Sequence, residues 1–142
     1  MPNTDRVRNG GFEQSTAPNL APFWTGTGTT ENSIDGDQLL GSTNGDVDQL
    51  QFISQQLLPL EVGEVYEFSA AFNFDVDPPT SGTIDVDITG VSLKRFQAVN
   101  MQSSGYAFYS FQFKASVANA TLTITNNSDA QMDIDLISIF KK

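Results

Sequence analysis

Apolar residues return at every second position through much of this chain, the period of a half-buried β-strand. Over residues 65–74, Tyr66, Phe68, Ala70, Phe72 and Phe74 fall on one face, and Glu67, Ser69, Ala71 and Asn73 on the other. Residues 83–88 alternate cleanly, with Ile84, Val86 and Ile88 opposed by Asp85 and Asp87. Tyr109, Phe111 and Phe113 form another apolar row, opposed by Tyr106, Phe108, Ser110 and Gln112. Leu122 and Ile124 sit between Thr121, Thr123 and Thr125, and residues 51–58 and 133–140 also read as strands. After Gly90 the apolar phase moves to Val91 and Leu93, which predicts a bulge or bend there. Helical periodicity is scarce.

Turn chemistry separates these runs. It lies at Asn44-Gly45, at Glu61-Val62-Gly63, at Asp77-Pro78-Pro79-Thr80-Ser81-Gly82 and at Asn126-Asn127-Ser128-Asp129. Residues 25–48 are rich in Gly, Thr, Ser and Asp and read as long loops with one or two short strands. Short strands with regular turn signals predict a β-sandwich or barrel. No repeat or linker interrupts the 142 residues, so residues 1–142 are expected to form a single domain. A chain of that length can bury a real core without staples.

Composition narrows the function. The formal net charge is −10, with 17 acidic against 7 basic residues. A phosphate backbone or an anionic membrane would be repelled, so neither nucleic acid nor a bilayer is the expected partner. Cations and neutral sugars suit such a surface. With no cysteine and no histidine, disulfides, thiol nucleophiles, Ser-His-Asp triads and typical zinc sites are all removed. No apolar run of about 18 residues exists to cross a membrane as a helix. Met1-Pro2-Asn3-Thr4-Asp5-Arg6 has no apolar h-region and does not read as a signal peptide. Export by another route, or a leader already removed, is expected.

Asn9-Gly10-Gly11-Phe12-Glu13, with Trp24 close behind, is the most informative stretch. Two glycines allow a tight or left-handed turn. Phe12 offers an apolar anchor, and Glu13 places a carboxylate beside it that needs a cation or backbone donors. Trp24 is expected to anchor a loop or the core. Ten of the twelve aspartates fall in Asp-x-Asp pairs: Asp35/Asp37, Asp46/Asp48, Asp75/Asp77, Asp85/Asp87 and Asp133/Asp135. On a strand, such a pair sets like charges on one face, which favours a hydrated surface or an intervening cation.

Taken in order, these residues resemble the jelly-roll carbohydrate-binding modules attached to polysaccharide-degrading enzymes. They are also similar to related N-terminal domains of collagen-like proteins on bacterial spore surfaces. Asn9-Gly10-Gly11-Phe12-Glu13 resembles the opening strand of that family, and Pro22-Phe23-Trp24 its early proline-tryptophan segment. Gln55 or Gln56, then Val62-Gly63-Glu64-Val65-Tyr66-Glu67-Phe68-Ser69, resembles its central pattern. Tyr106, Tyr109, Phe111, Phe113 and Ala115 fit an aromatic strand, with Tyr106 at the usual tryptophan position. Ile134-Asp135-Leu136-Ile137-Ser138-Ile139 resembles the closing strand, with Leu136 where a second aspartate is usual.

The resemblance implies an all-β jelly-roll sandwich of two antiparallel sheets, galactose-binding-domain-like. It implies a structural calcium ion held by Glu13 and Asp135, with the loop at Asp35-Gly36-Asp37 adding a carboxylate or carbonyls. Sugar recognition needs exposed aromatic faces and hydrogen-bonding side chains. Tyr106, Phe108 and Gln112 are the expected platform and polar contacts, with Asp85 and Asp87 lining the same cleft from a neighbouring strand and Asn73 beside them. The expected function is non-catalytic binding of a polysaccharide or other glycan, outside the cell or on a bacterial cell or spore surface. The alternative is an assembly or adhesion module of such a surface, using the same face for a protein partner or a homo-oligomer. Asp85 and Asp87 also resemble the paired carboxylates of glycosidases, but paired aspartates are abundant here and no enzyme is expected.

Overall fold

The alternating runs become strands, and ten strands pair into two antiparallel sheets in a computed structural model that describes residues 3–32, 40–74, 77–103 and 105–142. In chain order they are β1 (Thr25–Gly26), β2 (Thr29–Asn32), β3 (Thr43–Val47), β4 (Phe52–Gln56) and β5 (Val65–Asn73). Then follow β6 (Gly82–Ile88), β7 (Lys94–Gln97), β8 (Ala107–Lys114), β9 (Thr121–Ser128) and β10 (Met132–Lys141). The first sheet has the order β1-β4-β9-β6-β7 and the second β2-β3-β10-β5-β8. This is the jelly-roll β-sandwich that the family resemblance implied, within the sandwich-or-barrel class read from the strand pattern.

The core lies between the sheets, where the inward rows meet. Ile53, Ile84, Val86, Ile88, Leu122 and Ile124 come from the first sheet; Tyr66, Phe68, Phe72, Ile134 and Ile139 come from the second. A fully buried ring such as Phe68 or Phe72 contributes roughly 2–3 kcal/mol through removal from water. Phe96 of β7 reaches across to Tyr109 and Phe111 of β8, with ring centroids 5.8 and 6.2 Å apart, so aromatic rings join the sheets at that edge.

At the opposite edge the sheets are joined by main chain. Arg6 N–H donates to the Ile139 carbonyl of β10 at 2.9 Å, and Leu58 N–H, just past β4, donates to the Arg6 carbonyl at 2.9 Å. Gln55, an inward residue of β4, grips Arg8 with its whole amide. Its Oε1 accepts Arg8 N–H at 3.0 Å and its Nε2 donates to the Arg8 carbonyl at 2.9 Å. Gly10 then lies against β10 where its pairing with β5 shifts register, between Asp135 and Ser138. Ile137 N–H, in that bulge, donates to the Gly10 carbonyl at 3.0 Å.

The glycines of the opening motif act differently from expectation. The left-handed residues are Asn9 (φ 53°) and Phe12 (φ 59°), and neither Gly10 nor Gly11 has positive φ. Gly10 is required by close approach: a Cβ there would lie 1.9 Å from the Ile137 carbonyl oxygen. Phe12 holds a backbone geometry that costs about 1–2 kcal/mol in a non-glycine residue. Its fully buried ring, stacked on Trp24 at 5.4 Å, supplies the compensation. Trp24 anchors the loop by donating Nε1–H to the Asn9 carbonyl at 2.8 Å.

Three readings are corrected. Asn44-Gly45 is no turn but the middle of β3, because Phe12 packs there: a Cβ on Gly45 would lie 2.9 Å from Phe12 Cζ. The described part of residues 25–48 holds three strands, β1, β2 and β3. Asn126-Asn127-Ser128 is the end of β9, where buried Asn126 folds back on its own chain, accepting from Ser128 N–H and donating to the Ala130 carbonyl. The bend expected at Gly90 (φ 78°) is the tight turn after β6, closed by Val91 N–H donating to the Ile88 carbonyl.

Gly10→Ala is expected to lower unfolding free energy by roughly 2–3 kcal/mol, since its methyl meets backbone that cannot retreat. Gly11→Ala should cost less than about 1 kcal/mol, because its nearest neighbour is a side-chain methyl at 3.5 Å. Urea melts of the two variants check this, and equal costs would contradict the account of the motif.

Candidate functional site

Strand alternation sends half of each strand of the second sheet outward. Register sorts these outward residues into rows. Asp46 of β3 stands opposite Asp133 of β10, which stands opposite Asn73 of β5. In the next row Asp135 faces Ala71, which faces Phe108 of β8. Ser138, Ser69 and Ser110 form a third row, and Phe140, Glu67 and Gln112 a fourth. The tethered N-terminal segment and the β10 bulge border this face.

Between them runs a shallow groove of about 340 Å³. It is lined by Phe108, Ser69 and Ser138 from the strands, Leu136 and Ile137 from the bulge, and Asp5, Gly10 and Gly11 from the N-terminal segment. Phe108 is 60% exposed although it sits on an ordered strand, so its ring lies open at the groove. Ser69 and Ser138 add hydroxyls that donate and accept. Asp5 is occupied: its Oδ1 accepts Val7 N–H and Ile139 N–H, both at 3.0 Å. Burial raises its pKa above the ordinary aspartate value, against the pull of those two bonds.

Glu13 and Asp135 lie near each other beside the groove: a Cβ on Gly11 would be 3.8 Å from Asp135 Oδ1 and 4.0 Å from Glu13 Cγ, and the Glu13 charge acts on Asp135. Glu13 uses backbone donors. Its Oε1 accepts from Ser42 N–H at 3.1 Å and from Ser42 Oγ at 2.5 Å, and its Oε2 accepts from Thr43 N–H at 2.9 Å. Desolvation alone would raise its pKa, but together these bonds hold it low. Asp135 is wholly buried. Its Oδ1 accepts Leu136 N–H at 2.9 Å, while Oδ2 is buried with no hydrogen-bond partner among the described residues. Burial pushes its pKa up to about 7, with the Leu136 bond opposing the rise and the Glu13 charge adding to it. A buried carboxylate oxygen without a donor, next to a second carboxylate, fits a cation's needs.

A further acidic group lies on the same face, outside the expected set. Glu31, Asp46 and Asp133 each bring a carboxylate oxygen within 4.8 Å of the others, a grouping that could hold a metal ion. Three strands supply one ligand each, so no local spacing announces it. Only the Asp-x-Asp pairs containing Asp46 and Asp133 hinted at it.

The expected site residues are therefore divided. Phe108 and Asn73 share the outward face of the second sheet, but Asn73 is buried while Phe108 is open. Tyr106 is half-buried, just before β8. Gln112, although outward on β8, lines a different groove of about 480 Å³ with Val91, Leu93, Lys94 and Lys114, where the edges of the two sheets face each other. Asp85 and Asp87 do not line the Phe108 cleft. Their strand β6 belongs to the first sheet, whose outward face points the opposite way. Asp85 is also engaged, accepting from Thr83 Oγ1 at 2.6 Å and Asn127 Nδ2 at 2.8 Å, with Arg95 Nε at 3.7 Å. Asp37 lies outside the described residues. Sequence alternation does not single out Ser69, Ser138 and Leu136 as groove residues, because only the pairing of β5, β8 and β10 brings them together.

No protein-family model matches the sequence, and no curated protein does. Solved structures match over most of its length. An enzymatically active domain of bacteriophage CBA120 tailspike protein 4 superposes with TM-score 0.65 at 14% identity, over 97% of this chain; this chain spans only 21% of that one. A family 61 carbohydrate-binding module in complex with β-1,4-galactotriose matches with TM-score 0.60 at 14% identity, over 98% of this chain and 99% of the module. A family 35 carbohydrate-binding module from Clostridium thermocellum matches with TM-score 0.61 at 11% identity, over 84% and 92%. The fold is thus that of the jelly-roll carbohydrate-binding modules. Among the described residues no helix is long and apolar enough to cross a membrane.

Asp135 sets a pH dependence for the protein in chelator. Unfolded, its carboxyl ionises near the ordinary 3.8; folded, near 7. Between those values the native state keeps a proton that the unfolded chain has released, so stability falls as pH rises and levels off above about 7. Asp5 acts in the same direction. Melting temperatures from pH 4 to 8 in chelator should decline for the wild type and decline less steeply in Asp135→Asn, where Asp5 still contributes. A wild-type profile that rises across this range would refute the assignment.

Proposed function

We propose that this chain is a non-catalytic carbohydrate-binding module that takes a neutral glycan on the outward face of its second sheet. One observation carries the reading: the open ring of Phe108 stands over a groove whose other walls include serine hydroxyls and main chain. An aromatic face covers the apolar C–H side of a pyranose, while hydroxyls and backbone groups meet its rim. Tyr106 and Asn73 border the platform in this reading. Gln112, in the neighbouring groove, is a contact only for a chain long enough to follow β8.

Glu13 and Asp135 are proposed to hold a structural calcium ion, supported by the buried Asp135 Oδ2. Such an ion would tie the opening motif to the closing strand, supplying charge compensation that the burial of Asp135 requires. Its place is structural, beside the groove. One similar structure joins a family 22 carbohydrate-binding module to a xylanase module and is complexed with xylohexaose. The binding modules among the similar structures support a binding role. An extracellular or cell-surface setting accords with that role. The second reading, docking to a surface protein, draws on Leu136, an exposed apolar side chain in the same groove at 44%.

Glycan-array binding by the wild type and by Phe108→Ala tests the reading. Selective binding that weakens about tenfold or more in the variant, roughly 1.4 kcal/mol, is the expected result. Because Phe108 is exposed, its removal should leave the melting temperature nearly unchanged. Silence across plant, microbial and host glycans, from folded protein, would favour the protein-docking reading.

A further inference from the structure

We propose a divalent-cation site, separate from Glu13 and Asp135, on the outward face of the second sheet. Its ligands are the carboxylates of Glu31, Asp46 and Asp133 and the side-chain amide oxygen of Asn73, and its preferred ion is calcium.

Two independent observations meet here. The first is the convergence of three carboxylates from β2, β3 and β10, with one oxygen of each within 4.8 Å of the others. Asp46 and Asp133 are directly opposed across the ladder, and Asp133 is only 2% exposed. Like charges in that arrangement repel, and burial strengthens the repulsion. The second is a buried amide oxygen on the neighbouring strand. Asn73 is 1% exposed, and its Oδ1 is buried with no hydrogen-bond partner among the described residues. Asn44, opposite Glu31, presents its amide N–H groups: Nδ2 donates to Glu31 Oε1 at 3.2 Å and to the Gly45 carbonyl at 2.9 Å, which positions the Glu31 carboxylate. Asn73 stands opposite Asp133, so their side chains share a face.

A buried amide oxygen without a donor costs about 1–3 kcal/mol. On one face with three carboxylates, the Asn73 oxygen makes a fourth acceptor group, and a cation answers the need of that oxygen and the crowding of the charges together. The donors are all oxygen, which selects hard ions over zinc or copper. Protein oxygens from four strands, with room for water, match the six to eight flexible ligands of calcium better than the strict octahedron of magnesium. The ion would cross-link β2, β3, β10 and β5. In that arrangement Asp133-Ile134-Asp135 serves two sites, since its two carboxylates share a face about 7 Å apart along the strand.

Calcium equivalents bound by the full chain, measured by calorimetric titration of calcium chloride after chelator stripping, test this directly. Asp46→Asn and Glu31→Gln are each expected to lose one equivalent relative to the wild type, or to bind it at least tenfold more weakly. Their melting temperatures in chelator should equal or exceed the wild type's, because each removes a repelling charge. Glu13→Gln should keep the sheet-face equivalent, which separates this site from the Glu13–Asp135 ion. Wild-type protein that takes up no calcium at millimolar concentration would overturn the proposal. So would unchanged stoichiometry and affinity in Glu31→Gln, whose half-buried rim position makes misfolding no explanation.

Discussion

The two sheets are held at one edge by the backbone of residues 6–10, and the groove depends on that tether. Gln55 binds Arg8 through both ends of its amide, so β4 fixes the height of the segment between the sheets. The bonds from Arg6 to Ile139 and from Ile137 to Gly10 fix it against β10. With the segment in place, Phe12 must turn inward onto Gly45 and Trp24, and Glu13 must turn outward toward Asp135. The groove wall, the carboxylate pair and one end of the core thus follow from a few main-chain bonds. A side chain at Gly10 would disturb all three.

Charge on this face is managed rather than merely displayed. Glu13 is satisfied by Ser42 and Thr43, and Asp5 by Val7 and Ile139, so those acids serve as acceptors for backbone N–H groups of the loops and the closing strand. Asp135 has only one such donor, and both burial and the Glu13 charge oppose its ionisation. The contrast explains why burial and hydrogen bonding produce opposite pKa shifts in two carboxylates that lie near the same glycine.

Much of the fold was legible in the sequence. Period-two rows at Tyr66, Phe68, Ala70 and Phe72 and at Tyr109, Phe111 and Phe113 marked the inward faces of β5 and β8 correctly, because burial on one face of an antiparallel sheet imposes that alternation. Phe108 stood out as outward by the same logic. What alternation cannot reveal is which strands become neighbours. Asp85 and Asp87 read as neighbours of Phe108 because both runs look alike, yet β6 and β8 join different sheets. The cluster of Glu31, Asp46 and Asp133 was hinted at only by two Asp-x-Asp pairs for a related reason: its strands are distant in the chain and meet only through ladder register. Gly45 misled because glycine in sequence signals a turn as readily as it signals a neighbour pressed close, here the Phe12 ring.

The central claim is that sugar is recognised on the outward face of the second sheet. Backbone amide shift mapping with an oligosaccharide tests it most directly, since it locates contact without altering the protein. The account predicts perturbations concentrated at Ser69, Phe108, Leu136 and Ser138, together with Gly10 and Gly11. Perturbations confined to the outward face of the first sheet, around Asp87 and Thr123, would contradict it.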